Sequence, residues 1–244
     1  MEIIDKEKEV KSFTTDLISR QSNDFIESHH AQEFTTQELK IIEFIISQTT
    51  KKDIDLVNNR QNKLIKITVM NFCKMINATP SQIYRDTNKI ADSLLSKKID
   101  FKYKDKKGQP AFQKKNFFSG VTYENGEITF EINNFVLPYF IEVKERYTEI
   151  NLKYLIAMDS SYGIKLYKLL KQYLKIGKRE FLLSDLKKQF GISNDQYKLY
   201  ANFKKALKTA VKHINLSTDI SVEFSEVKER RTVKTLVFLV SGKK

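Results

Sequence analysis

Residues 179–240 read REFLLSDLKKQFGISNDQYKLYANFKKALKTAVKHINLSTDISVEFSEVKERRTVKTLVFLV. The order is a short strand, a helix, a turn, a longer helix, and two strands joined by a charged tip. In the longer helix Phe203, Ala206, Leu207, Ala210, Val211 and Ile214 recur at helical spacing and define one buried stripe. The opposite face carries Lys198, Asn202, Lys205, Lys208, Thr209 and Lys212. The strands Ile220 to Val227 and Thr232 to Val240 enclose Lys228-Glu229-Arg230-Arg231, a tip with three cations. A strand, a helix pair and a basic hairpin make a winged helix-turn-helix. Its second helix is sized for a DNA major groove and its wing for backbone contacts.

The chain of 244 residues has room for two such units. Its apolar share of 41% and aromatic share of 11% can fill real cores, and seven Gly with three Pro argue against low complexity. Nowhere do about 18 apolar residues follow one another, so neither a membrane span nor a secretory leader is expected. The lone Cys73 leaves no internal disulfide and no cysteine-built zinc site, in keeping with a reducing cytoplasm. The net charge of +13 is unevenly placed: −4 over residues 1–62, +9 over 63–115, −4 over 116–160 and +12 over 161–244. Two basic blocks set between acidic ones fit a polyanion met at two places.

Upstream, residues 1–22 are polar and read as a flexible tail. Thr35 to Glu38 is a capping box opening the helix LKIIEFIIS, read as a core helix, with a partner-facing zipper seam as the sharper alternative. Lys51 to Asn62 reads as a loop. Leu64 to Thr68 is a strand, Val69 to Ile76 a helix and Asn77-Ala78 a turn. Thr79 then caps a helix that has Pro80 at its first position and runs to about Lys97. Strands are expected at Ile99 to Lys104, Asn116 to Tyr123 and Ile128 to Ile132, with a hairpin tip at Glu124-Asn125-Gly126-Glu127. Ser160 to Lys175 is a helix whose Lys165, Lys168, Lys171 and Lys175 read as a solvated face.

An internal repeat joins the two blocks. Ile67 to Ala78 lies over Phe181 to Ile192 at one constant offset, and Thr79 and Gln82 fall on Ser193 and Gln196. What repeats is the physical pattern rather than the residues. The expected fold class is therefore α+β, with two tandem winged-helix domains: a tail over 1–22, one domain over 23–148 and a second over 149–244. DNA binding and dimerisation are assigned to the first domain, and the main site contacts to the second.

The second unit resembles the C-terminal domain of plasmid replication initiators of the Rep_3 (iteron-binding) family. The likeness rests on the L-Y-x-L-L run at Leu166 to Leu170, the Y-x-x-Y-x-x-F start at Tyr197 to Phe203, the L-K-x-A-V-x-x-I-N ending at Leu207 to Asn215, and the hydrophobic strand Thr235 to Val240. It is weaker over residues 23–148, where NDFIESHHAQEFTTQELK departs from the family's usual opening. The resemblance implies an initiator that binds direct repeats in a plasmid origin and distorts the AT-rich DNA beside them. It implies recruitment of a host initiator and replicative helicase, a homodimer in equilibrium with monomer, and repression of its own gene. It implies no cofactor.

With recognition helices at Gln82 to Lys97 and Gln196 to His213, the base-reading candidates are Arg85, Asn88, Lys89, Lys198, Asn202 and Lys205. Arg or Lys suits guanine and Asn suits adenine. The phosphate candidates are Ser81, Lys106, Lys107, Lys208, Thr209, Lys212, Lys228, Arg230 and Arg231. An enzymatic rival, the rolling-circle nickase, needs a His-apolar-His metal pair and a nucleophilic Tyr. The chain's three histidines, His29, His30 and His213, are not so spaced, and no G-x-x-x-x-G-K-[ST] loop occurs. No catalytic site and no metal are expected. A tandem winged-helix transcription regulator stays open on the residues alone; only the resemblance separates it from an initiator.

Overall fold

The computed structural model describes residues 17–30, 34–141, 146–193, 196–197 and 199–243. Strand β1 (Ile18–Ser22) leads into the single turn α1 (Asn23–Ile26), the two-residue β2 (His29–His30) and the long α2 (Thr36–Ser47). A 3-10 turn and α3 (Ile54–Asn58) precede β3 (Lys63–Thr68), α4 (Val69–Ile76) and α5 (Pro80–Ser96). Two hairpins follow: β4 (Lys98–Lys104) with β5 (Pro110–Asn116), then β6 (Phe118–Glu124) with β7 (Glu127–Ile132). A connecting stretch holds α6 (Pro138–Ile141), β8 (Tyr147–Asn151), α7 (Leu152–Ile156) and α8 (Ser161–Lys171). The second unit is β9 (Lys178–Leu182), α9 (Leu183–Phe190), α10 (Tyr200–Ser217), β10 (Ile220–Glu229) and β11 (Thr232–Gly242).

The repeat is physical. α4 and α9 coincide at the sequence offset, and each ends on a left-handed residue, Asn77 at φ 56° and Gly191 at φ 75°. In both, the amide two residues past the helix turns back: Ala78 N–H donates to the Cys73 carbonyl and Ile192 N–H to that of Lys187, each at 3.0 Å. The sheets match as well, with strand orders β3-β7-β6 and β9-β11-β10. Along the second helices, Ile83, Thr87, Ile90 and Leu94 fall on Phe203, Leu207, Ala210 and Ile214, again at one offset, and these residues face the core.

The second offset is larger, and the difference corrects the expected start of α10. The turn at Ser193 begins as expected, with Ser193 N–H donating to Gln196 Oε1 at 3.2 Å. It does not propagate, because Tyr197 takes φ 51° and packs its ring on Phe203 and Tyr162 at 5.6 and 6.2 Å. The helix starts at Tyr200 instead and runs past His213 to Ser217. The first copy needs no such detour, since Thr79 with Gln82 forms a complete capping box and Pro80 sits at the first position.

Three other expectations are corrected. Ile18 to Ser22 is a strand paired with Tyr147 to Asn151, where a tail was expected; residues 1–16 lie outside the described residues. Lys165 and Lys168 are buried rather than solvated, and Lys171 is paired with Asp219. The expected loop at Lys51 to Asn62 holds the short helical turns Lys51–Asp53 and Ile54–Asn58, anchored by Asp53 accepting from Thr50 N–H (2.7 Å) and Lys63 Nζ (2.5 Å).

One carboxylate explains the first of these and the burial of Lys168, whereas Lys165 donates to the Phe190 carbonyl at 2.7 Å. Glu43 of α2 is wholly buried. It accepts from Ser19 Oγ at 2.9 Å and Gln21 Nε2 at 2.5 Å, both on β1, and is paired with Lys168 of α8. A buried charge is tolerated only when paired and hydrogen-bonded, so these three polar side chains are drawn inward. α2 is thus a core helix, and the apolar cluster around it is continuous with both units.

Candidate nucleic-acid interface

Every described candidate on the two second helices is exposed. On α5 these are Ser81, Arg85, Asn88 and Lys89; on α10 they are Asn202, Lys205, Lys208, Thr209 and Lys212. Three- and four-residue steps put each set on one face, opposite the buried stripe. Lys198 lies outside the described residues. Arg85 is held by its neighbour Asp86, Nε to Oδ1 at 3.2 Å and Nη2 to Oδ2 at 3.0 Å, a hydrogen bond that keeps the carboxyl below its usual pKa. Lys205 has two cationic neighbours on its face, Lys208 and Lys212; the face of α5 adds only Lys89 and also carries Asp92.

The hairpins divide less evenly. Sheet order identifies β6–β7 as the wing of the first unit and β10–β11 as that of the second. The second wing is long, bulged between Val227 and Lys228, and ends in the exposed Lys228, Arg230 and Arg231. The first closes tightly through Asn125 and Gly126, both at positive φ (50° and 75°), between Glu124 and Glu127. It carries no cation at its tip. Lys106 and Lys107, exposed, sit instead on the β4–β5 hairpin, which is inserted between α5 and the wing and pairs with β2.

Each wing is fastened to its recognition helix at one equivalent place. Tyr123 on β6 lies opposite Ile128, which lies opposite Ile67; Glu226 on β10 lies opposite Leu236, which lies opposite Phe181. From the helices, Tyr84 and Lys204 hold matching positions. In the first unit the fastening is aromatic, with the Tyr84 and Tyr123 rings edge to face at 5.9 Å. In the second it is ionic: Lys204 Nζ lies 2.6 Å from Glu226 Oε1, and Tyr200 Oη donates to the same oxygen at 2.8 Å. The Lys204 hydrogen bond is the main reason the Glu226 carboxyl sits below its usual pKa; burial, followed by the bond to Glu226, pushes the Tyr200 phenol up. Sequence reasoning missed these residues. Tyr84 and Lys204 flank the exposed faces, but finding their partners requires the strand register.

Among the described residues no three His, Cys, Asp or Glu side chains gather as metal ligands, and no helix is long and apolar enough to cross a membrane. A strand, two helices and a hairpin wing, occurring twice, define a tandem winged-helix protein. Family models place it further: one described as "Initiator Replication protein, WH1" matches residues 18–171, and one described as "Initiator Rep protein, WH2" matches residues 182–240. The chain belongs to this Rep_3 family of DNA-binding plasmid replication initiators. It is also similar to the crystal structure of the WH1 domain of a replication protein isolated from a multiple sclerosis patient. That match has 10% identity and a TM-score of 0.31, covering 58% of this chain and 93% of the other.

Proposed function

We propose that this initiator binds direct repeats in a plasmid origin through both winged-helix units, with α10 and the β10–β11 wing as the principal grip. Asn202 and Lys205, in the first turns of α10, read base edges; Lys208, Thr209, Lys212, Lys228, Arg230 and Arg231 hold phosphates. In the first unit Arg85, Asn88 and Lys89 read bases, while Ser81, Lys106 and Lys107 hold phosphates. Binding needs no metal or nucleotide and does not cut the strand. Bound copies help open the adjacent AT-rich DNA and recruit a host initiator and replicative helicase. A homodimer in equilibrium with monomer represses the gene itself, and the protein acts in the bacterial cytoplasm. The functional division falls near residue 148, with DNA contact and dimerisation before it and the main repeat contacts after it.

The observation that carries this reading is the exposed cationic face of α10 beside a wing tip with three cations and one acid. The deciding experiment is footprinting of the metal-free protein on origin DNA. Protection on one face of the duplex across two adjacent major grooves is expected. Protection of a single groove would remove one reading unit, and a covalent protein–DNA adduct on supercoiled plasmid would make the protein a nickase.

A further inference from the structure

Glu226 is an acid where DNA binding calls for none. It lies on the strand leading to the cationic tip and shares the side of β10 that faces α10, since it is opposite the buried Leu236. Its side chain is 16% exposed, and both its hydrogen-bonding partners, Tyr200 and Lys204, come from the first turns of α10, while Lys228 of the tip acts on it only through its charge. Those are the turns that carry Asn202 and Lys205. The register shifts just beyond it, between Val227 and Lys228, where the facing strand β11 carries the extra residue Lys234, so the bulge that bends the hairpin toward its tip lies next to the pinned position.

The geometry points to Glu226 as a positioning residue for DNA binding: it ties the wing to the reading end of α10, so that Lys228, Arg230 and Arg231 stand at a fixed distance from Asn202 and Lys205. This rests on the DNA-reading role proposed above. A rigid tie places two sets of contacts on the duplex together and spares the ordering cost of a swinging hairpin. It also fixes an unusual sign. Point-charge reasoning says that removing a carboxylate near phosphate tightens binding; the tie says that removal weakens it.

The test uses the full chain with Glu226→Gln, Lys204→Met, and the exchanged pair Lys204→Glu with Glu226→Lys. Each is titrated against the footprinted repeat duplex and a random duplex of equal length, with amide exchange on the free proteins. Glu226→Gln is expected to weaken the repeat duplex about tenfold, as for one lost charged hydrogen bond. It should weaken the random duplex less, despite the added positive charge. Lys204→Met should do the same. The exchanged pair, equal to the wild type in net charge, should recover to within about threefold. Exchange at the 227–235 hairpin should quicken in both single variants and return toward normal in the exchanged pair. Binding by Glu226→Gln as tight as wild type or tighter, or unchanged hairpin exchange, overturns the tie. Wild-type protein that fails to bind either duplex overturns the function proposed above instead, and the exchange measurement still decides whether the tie exists.

Discussion

The two winged-helix units share a frame and differ at the surface that the frame presents. Their helix-turn-helix segments coincide through the left-handed cap, their sheets have the same strand order, and their wings are fastened at equivalent positions. Yet one wing is short with Glu124 and Glu127 at its tip, and the other is long with Lys228, Arg230 and Arg231. One recognition helix offers Arg85 already engaged by Asp86; the other offers Lys205, Lys208 and Lys212 with no acid in the helix. A common fold therefore implies common geometry without equal affinity for a polyanion. On the function proposed above, the first unit takes its phosphate contacts from Ser81 and from Lys106 and Lys107 of the inserted β4–β5 hairpin rather than from its wing tip.

Four measurements test this contrast. Phe203→Ala should cost about 3–5 kcal/mol of stability, because a fully buried ring is lost beside Phe190 and Tyr197. Ile83→Ala, at the matching place, should cost less, and equal losses in denaturant titrations would mean that the two cores are equivalent. Lys205→Ala should weaken the repeat duplex by about 1–3 kcal/mol while sparing random DNA. Arg85→Ala should have a smaller effect, and a larger one would reverse the ranking of the units. Replacing Arg230 and Arg231 by Ala should lower the salt slope of binding by about 2 on any sequence. Replacing Glu124 and Glu127 by Gln should leave that slope unchanged. Thr79→Ala should cost about 1 kcal/mol, as loss of a helix cap. Ser193→Ala should cost under about 0.5 kcal/mol, since α10 begins only at Tyr200.

Acid sharpens the same comparison. The Glu226 pKa is depressed in the folded chain, so its contribution is present at neutral pH. It is lost only as pH falls through that depressed value, below the ordinary Glu range near about 4.3. The Tyr84–Tyr123 fastening contains no carboxylate. Amide exchange followed on acidification should therefore quicken in the second wing before the first.

Local chemistry made much of this legible. The Thr79–Gln82 box, Pro80, the Asn77-Ala78 turn and the apolar stripes of α5 and α10 are decided by neighbours within a few residues, and the helices stand almost where the pattern puts them. Polarity misled where a distant partner reverses its meaning. Ser19, Gln21 and Lys168 look solvated until Glu43 is seen among them. The start of α10 was misplaced for a similar reason: the pocket formed by Tyr162 and Phe203 draws in Tyr197 and outweighs a capping signal four residues earlier. The fastenings could not be read at all, since Tyr84 and Lys204 gain their roles only from strand register.

The Glu43–Lys168 pair sets a timetable for synthesis. Its members are 125 residues apart in the chain. At about 5–20 residues per second on the ribosome, α2 has been made for several seconds or more before its cation exists. Until then the nascent N-terminal half holds Glu43 with Ser19 and Gln21 as donors but without the cation that neutralises it. Both halves should therefore mature in one late, cooperative event, and an N-terminal fragment ending before α8 should remain open to proteases.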